Sequence, residues 1–162
     1  MQYLYAPWRS DYVKQDIKDE KCVFCYISKS IDEDEELKVL YRDEKCFIVM
    51  NRYPYTPGHF MVIPHFHTDT LEKLPDDIWL HISSLVKKST TILKKVLNVG
   101  GVNIGLNMGK IAGAGIPEHL HYHLVPRWSG DTNFITTIGK ARVFSTDELQ
   151  LYNNLKQEFK LL

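Results

Sequence analysis

The 162-residue chain lacks an excess of either charge, because 20 lysine and arginine residues balance 20 aspartate and glutamate residues. Without a basic field to attract nucleic acid, any anionic ligand has to be held by local groups. No apolar run approaches the ~20 residues of a membrane span, and the first residues carry charges where a secretory signal has an apolar core. These absences predict a cytoplasmic protein that binds neither nucleic acid nor membrane.

Cysteine is also scarce, with only three residues in the chain. An odd number that includes the close pair Cys22-x-x-Cys25 does not resemble a disulfide framework and indicates metal or redox chemistry. The pair can supply two thiolates of a tetrahedral zinc site, which requires two further ligands. The alternative is a pair of reduced, partly buried thiols. Cys46 lies in the apolar run CFIVM and is predicted to be in the core.

Hydrophobic patterning predicts a single α+β domain. Turn residues bound five apolar stretches that read as strands, at Leu37–Tyr41, Cys46–Met50, Phe60–Pro64, Val102–Asn107 and Leu120–Val125. Apolar residues at spacings of three and four predict a long helix over Pro75–Leu97 and a second one near the C-terminus. Ser145 and Glu148 are spaced as a capping box for that second helix.

Three histidines alternate with apolar residues in the run His119-Leu-His121-Tyr-His123-Leu. Side chains on a strand alternate between its faces, so the three imidazoles should line one face at intervals of ~7 Å. At that spacing all three can address one anionic substrate. A polar solvent-facing surface and a three-histidine metal site are the alternatives.

A glycine-rich segment, NIGLNMGKIAGAGIPEH, leads directly into this run. Its glycines allow the backbone to approach a ligand closely and offer amide donors to phosphate oxygens. A neutral imidazole is a competent nucleophile toward phosphorus, and a covalent intermediate divides a difficult displacement into two steps. The joined segments therefore favour a phosphate cradle beside a nucleophilic histidine, although a plain turn is the alternative for the glycine segment alone.

The run HLHYHLV followed by Pro126 and Arg127 resembles the signature of the histidine triad (HIT) proteins, and residues 47–64 resemble the nucleotide-binding strand, turn and strand of that family. The resemblance covers most of residues 37–128. It implies a five-stranded antiparallel sheet with two helices, which a homodimer or higher homo-oligomer extends from one subunit to the next. The whole chain, 1–162, is then one domain, with an N-terminal extension at 1–36 that carries the cysteine pair and a C-terminal extension and helix at 129–162.

The same resemblance implies roles for individual residues. His121 matches the nucleophile, and His123 and His119 complete the catalytic triad. The residues implied in nucleotide and phosphate binding are Asn51, His59, Asn107, Gly113, Gly115 and Glu118. Family members with a similar cysteine pair complete a zinc site with two histidines, which makes Cys22, Cys25, His67 and His119 the implied ligands, although His65 is a competing choice.

Within the family, the segments LYAPWRSDY and PRWSGDTNF and the residue Glu118 are similar to the bacterial diadenosine tetraphosphate phosphorylases. Many hydrolase members carry a glutamine in the glycine loop, where this chain has Ala114 and one additional residue before the triad. The resemblance therefore implies cleavage of dinucleoside polyphosphates through a nucleotidyl-histidine, with phosphate as the acceptor.

Other readings stay open at this stage: a hydrolase of the same substrates, a nucleoside phosphoramidase, and a nucleotide-binding adaptor without catalysis. Zinc is the predicted metal, and magnesium is expected only together with the substrate. Trp8 and Trp128 are candidates either to stack a base or to pack in the core. His81, on the predicted long helix, is assigned a structural role.

Overall fold

The computed structural model describes residues 22–133, 136, 138–139 and 146–162. Within them the strands are β1 (Val39–Arg42), β2 (Cys46–Met50), β3 (Phe60–Pro64), β4 (Gly101–Leu106) and β5 (Tyr122–Arg127). The helices are α1 (Val23–Lys29), α2 (Asp76–Leu97) and α3 (Glu148–Phe159). In the part of the chain that is described, no helix has the length and apolar character needed to cross a membrane.

The five strands form one antiparallel sheet in the order β1-β2-β3-β5-β4. This confirms the predicted α+β class and the five-stranded sheet. The two predicted helices are present, and α1 is a third that the sequence analysis did not anticipate. It follows the first cysteine directly and buries Phe24 and Ile27 against the sheet.

Strands β2 and β3 begin and end at the predicted residues, while the other three differ by one or two positions. Strand β1 begins only at Val39 because Lys38 has a positive φ of 60°, which interrupts an extended backbone. Strand β5 begins at Tyr122 rather than Leu120 and continues through Pro126 to Arg127. Pro126 is tolerated there because β3 pairs with β5 only as far as Leu124, so that no neighbour on that side needs its missing N–H.

The sheet has an apolar core on each face. Helices α2 and α3 cover one face, where Leu93, Leu124 and Leu155 are fully buried. Helix α1 covers part of the other face, where Phe47 of β2 and Ile63 of β3 are fully buried. Truncating a fully buried leucine to alanine costs ~2–5 kcal/mol, so both faces contribute substantially to holding the strands in place. Cys46 is 0% exposed, as predicted for a core residue.

Helix α3 begins differently from the prediction. Its N-cap is Asp147, whose carboxylate accepts hydrogen bonds from the backbone amides of Leu149 and Gln150. Ser145, the predicted cap, lies outside the described residues, as do Trp8 and the N-terminal segment that carries part of the family resemblance. The long helix α2 matches its predicted bounds to one residue and ends at Leu97. The C-cap residue that follows, Asn98, adopts the left-handed conformation typical of a helix C-terminus.

Candidate active site and metal centre

The structure brings the three histidines of the triad together at the start of β5, on the sheet face that α1 covers. Only His123 lies within β5, and His119 and His121 lie in the segment directly before it. The ring centroids of His121 and His123 are 4.9 Å apart, and Phe24 contacts the rings of both His119 and His121 at 5.6 and 5.0 Å. Helix α1 therefore shields this side of the triad from water.

His121 is 4% exposed, and its ring has a fixed arrangement of proton and lone pair. Its Nδ1 lies 2.8 Å from the backbone carbonyl oxygen of His119, which can only accept a hydrogen bond. Nδ1 therefore carries the proton and Nε2 carries the lone pair. Burial lowers the pKa of His121 below its ordinary value, so that the ring is neutral near pH 7. A neutral imidazole with a lone pair on Nε2 is the form that a nucleophile requires.

His59 and His123 form a second pair beside His121. Nε2 of His59 lies 2.9 Å from Nδ1 of His123, and His59 is completely buried. Burial lowers the pKa of His59 to about 3 and that of His123 to about 4, with a further contribution from the neighbouring imidazoles. Both rings are therefore uncharged at neutral pH, and the pair adds hydrogen-bonding groups to the site without adding a net charge.

Of the residues implied in nucleotide and phosphate binding, Asn51 contacts the pair of His59 and His123, and the others lie on the segment between β4 and the triad. Asn51, at the end of β2, directs its Oδ1 to the amide of Tyr53 at 2.9 Å and lies beside His59. Asn107 is half-buried directly after β4, while Gly115 and Glu118 are exposed on the segment before the triad. The charge of Glu118 nevertheless acts on His121, whose pKa it raises slightly against the larger effect of burial.

The glycine loop adopts a tight turn between two glycines with positive φ, Gly109 at 79° and Gly113 at 93°. The amide of Gly113 donates to the carbonyl of Lys110 at 3.0 Å, and that of Ala114 lies 3.3 Å from the carbonyl of Gly109. In this conformation the amide of Gly113 already has an acceptor within the loop, which differs from the expectation that it faces a phosphate.

The predicted metal ligands Cys22, Cys25, His67 and His119 meet at one point, although 97 residues separate the first from the last. Their ligand atoms all lie within 4.8 Å of one another. Nδ1 of His119 is 3.2 Å from Nδ1 of His67 and 3.4 Å from Sγ of Cys22, and Sγ of Cys25 is 3.1 Å from Nδ1 of His67.

These distances fit a tetrahedral zinc ion. Zn–N bonds of ~2.1 Å and Zn–S bonds of ~2.3 Å place two nitrogens ~3.3 Å apart and a nitrogen and a sulfur ~3.6 Å apart. Nε2 of His119 lies 2.9 Å from the carbonyl oxygen of Pro64 and therefore carries the proton, which leaves the Nδ1 lone pair directed at the other ligands. The donor set, the spacing and the tautomer of His119 all suit zinc.

Other side chains named in the sequence analysis have structural partners. His65, the competing ligand, donates from Nε2 to the carbonyl of Asp43 and accepts at Nδ1 from the hydroxyl of Ser28, so both of its nitrogens are engaged. His81 pairs with the Asp43 carboxylate at 2.6 Å. The indole of Trp128 donates to the carbonyl of Leu97 at the end of α2, which indicates a packing role.

Two contributors to the site were missed by sequence reasoning: Phe24 and the carbonyl of Pro64. Phe24, which lies between the two cysteines, and Ile27 are three residues apart, and this spacing is a weak helical signal that was available. A backbone carbonyl has no sequence signal, because every residue carries one.

Comparison with known proteins places this geometry in a family. Residues 33–130 match the HIT domain. The chain is 38% identical over 149 residues to the AP-4-A phosphorylase of Mycobacterium tuberculosis, which covers 88% of this chain and 76% of that protein. It is 29% identical to the adenosine 5'-monophosphoramidase of Candida albicans, over 83% of this chain and 95% of the relative. The crystal structure of a zinc-bound histidine triad family protein from Mycobacterium smegmatis superposes with a TM-score of 0.70 at 27% identity, covering 87% of this chain and 94% of that one.

Proposed function

This chain belongs to the HIT domain family, and from that premise we propose that it is an enzyme that cleaves dinucleoside polyphosphates with inorganic phosphate as the acceptor. The observation that carries the proposal is the buried, neutral His121, whose Nδ1 proton is held by the carbonyl of His119 so that the Nε2 lone pair is available for attack. The identity to a phosphorylase over most of both chains supports this choice of reaction.

In the proposed first step, Nε2 of His121 attacks the α-phosphorus of a substrate such as diadenosine tetraphosphate. A P–N bond forms, and the P–O bond to the remaining phosphates breaks, with its electron pair leaving on ATP. In the second step an oxygen of inorganic phosphate attacks the adenylyl-histidine. The P–N bond then breaks, ADP is released, and the lone pair returns to Nε2 of His121.

The surrounding residues have proposed roles in these steps. We propose that His123 and the half-buried Asn107 donate to the phosphoryl oxygens as charge builds on them. Asn51 lies at the end of β2, where a ribose contact is proposed. Glu118, Gly113 and Gly115 are proposed to border the phosphate site, and for Gly113 this requires the loop to release its internal hydrogen bond. Magnesium is proposed to enter with the polyphosphate rather than through a resident protein site.

Zinc is proposed as the resident metal, held by Cys22, Cys25, His67 and His119. Bound there, it supplies a structural crosslink between α1 and the segment that leads into the triad. His121 is not one of the four residues, so the metal is assigned no part in the bond-breaking steps.

The acceptor is supported by a small side chain in the glycine loop. Ala114 stands where the resemblance implies a glutamine in many hydrolases, and its short side chain leaves more room beside the intermediate for phosphate. A phosphoramidase is the second candidate, because the Candida albicans relative carries that activity at 29% identity and the same histidine chemistry cleaves P–N bonds.

The decisive experiment supplies diadenosine tetraphosphate and radiolabelled inorganic phosphate. We expect ATP and labelled ADP, because water cannot introduce the label. Equal rates without phosphate, with AMP and ATP or two ADP as unlabelled products, would assign hydrolysis instead. A parallel assay with adenosine phosphoramidate tests the second candidate. Nucleotide binding without any product would identify a non-catalytic adaptor.

A homodimer is proposed on the basis of strand β4, which forms one edge of the sheet. Its residues Asn103, Ile104 and Gly105 are exposed, and Ile104 is 47% accessible. An exposed edge with an apolar side chain is suited to pairing with a second copy. Light scattering should give twice the 18.9 kDa chain mass, and Ile104→Glu should shift it toward the monomer. A monomeric mass for the unsubstituted protein would contradict the proposal.

A cytoplasmic location is proposed from the thiols. Cys22, Cys25 and Cys46 form no disulfide with one another, and two of them are proposed to bind metal as thiolates. Such a site persists in a reducing compartment.

A further inference from the structure

A chain of hydrogen bonds runs from the backbone of Tyr55 to His123. The amide N–H of Tyr55 lies 3.1 Å from Nδ1 of His59. A backbone amide can only donate, so Nδ1 of His59 must be the acceptor. Since His59 is neutral, its single proton then resides on Nε2.

A second contact of His59, with Asn51, is longer and does not decide this assignment, because the NH2 group of Asn51 has Sδ of Met61 as an acceptor at 3.8 Å. Oδ1 of Asn51 accepts from the amide of Tyr53, which turns the NH2 group of Asn51 toward His59 at 3.4 Å. Two N–H groups face each other there, so this longer contact is not a hydrogen bond. Nε2 of His59 instead donates to Nδ1 of His123 at 2.9 Å. The proton of His123 must therefore lie on Nε2.

The ring of Tyr55 covers the same two imidazoles. Its centroid is 4.8 Å from that of His59 and 6.2 Å from that of His123, with interplanar angles near parallel at 31° and 30°. Tyr55 is 45% exposed and His59 is completely buried, so the tyrosine lies on the solvent side of the imidazole pair. Water is thereby kept from competing for the hydrogen bond between the two histidines.

We propose that Tyr55 is a positioning residue: its amide fixes the tautomer of His59, and through His59 that of His123, so that His123 presents an N–H to the phosphate site. The consequence for catalysis rests on the proposed function. His121 offers a lone pair on Nε2, and its neighbour His123 offers a proton on Nε2. Both residues are histidines, but Nδ1 of His121 faces a carbonyl acceptor and Nδ1 of His123 faces an N–H donor. This difference makes His121 the proposed nucleophile and His123 the proposed hydrogen-bond donor.

This assignment also restricts what His123 can do. Its Nδ1 is occupied by the proton of His59, and His59 cannot shift that proton to its own Nδ1 because the amide of Tyr55 points at that nitrogen. His123 therefore acts by hydrogen-bond donation to a phosphoryl oxygen and does not serve as a base through Nδ1.

The test reads tautomers directly by two-bond 1H–15N correlation NMR on zinc-loaded, 15N-histidine-labelled protein without substrate. Signals are assigned by their loss in single histidine-to-glutamine variants. We expect the proton on Nε2 for both His59 and His123 and on Nδ1 for His121, each in roughly tenfold excess, the ratio that one good hydrogen bond sustains. A proton on Nδ1 of His59 would overturn the proposal, and so would mixed tautomers of either residue. No turnover is measured, so this result is independent of whether the proposed reaction occurs.

Two pairs of variants test whether the amide of Tyr55 and the side chain of His59 fix these tautomers. Tyr55→Phe keeps the amide and the ring and should leave both tautomers unchanged, whereas Tyr55→Pro removes the N–H and should give mixed tautomers at His59 and His123. If the proline variant does not fold, His59→Leu and His59→Gln decide. The leucine variant should give mixed tautomers at His123, while the glutamine NH2 restores the donor and recovers about tenfold in turnover over leucine. An unchanged single tautomer at His123 in His59→Leu would refute the proposal.

Discussion

Lowering the pH from 7 to 5 is expected to destabilise the fold by about 4 kcal/mol through two buried imidazoles alone. His59 and His123 have folded pKa values of about 3 and 4, whereas their unfolded pKa is near 6.5. Between pH 6.5 and about 4 the unfolded chain therefore binds protons that the folded chain does not. For each residue, pH 5 lies roughly 1.5 pH units below the unfolded pKa. At ~1.4 kcal/mol per unit, each residue therefore lowers the free energy of unfolding by about 2 kcal/mol.

The sign follows from depressed pKa values of basic groups. Stability is fully present above the unfolded pKa of 6.5 and is lost as the pH falls toward the folded values. Asp43 also has a lowered pKa, through backbone hydrogen bonds and His81, but an aspartate loses its contribution mainly below pH 4. The loss between pH 6.5 and 5 is therefore attributed to histidine rather than to the carboxylates.

Urea unfolding at constant zinc concentration and several pH values measures the effect. His59→Gln is the informative variant, because glutamine keeps a buried donor to His123 but does not titrate. Whatever its stability at pH 7, the drop from pH 7 to pH 5 should be about 2 kcal/mol smaller than in the unsubstituted protein. If the two proteins lose the same free energy over this interval, His59 is not held neutral by burial and the reasoning fails.

Three further outcomes are expected. His121→Asn should lower turnover by about three orders of magnitude or more with little change in nucleotide affinity, while His81→Asn, outside the site, should not; near-normal turnover would remove His121 from the mechanism. Purified protein should contain about one zinc per chain by elemental analysis, and Cys22→Ser should lower both zinc content and melting temperature; metal-free protein with an unchanged melting temperature would contradict this. Gly58→Ala should cost about 1–3 kcal/mol in chemical denaturation, because φ is +78° and the new Cβ would lie 2.5 Å from Cδ1 of Leu97. Movement of Leu97 would remove only the contact, so a loss below about 1 kcal/mol would contradict the penalty expected from the positive φ.

Much of the fold could be predicted from local sequence because it depends on alternation. The bounds of β2 and β3 follow from apolar runs next to turn residues. The period of two applies to the triad only in part, because His119 and His121 precede the first residue of β5. The shifts at β1 and β5 come from a positive φ at Lys38 and from pairing limits around Pro126, which patterning does not encode. Helix α1 was missed because seven residues are too few for a clear helical period.

The site was predictable to a different extent. The proposed zinc ligands come from segments far apart in the sequence, and only the family resemblance indicated that they meet. The protonation pattern of the imidazoles was out of reach, because it is set by backbone groups of Tyr55, Pro64 and His119 that any residue type supplies. Composition identifies which side chains are present, but the direction of a hydrogen bond depends on the folded backbone.

His119 contacts three partners at once: Pro64 through Nε2, the metal ligands through Nδ1 and the proton of His121 through its carbonyl. Loss of the metal would therefore disturb the nucleophile without any agent entering the nucleotide pocket. A chelator, or an oxidant that joins the thiols of Cys22 and Cys25, would act as a non-competitive inhibitor. It would lower kcat, and added nucleotide would not restore the rate. Catalytic capacity in this protein would thus respond to the thiol chemistry of its surroundings.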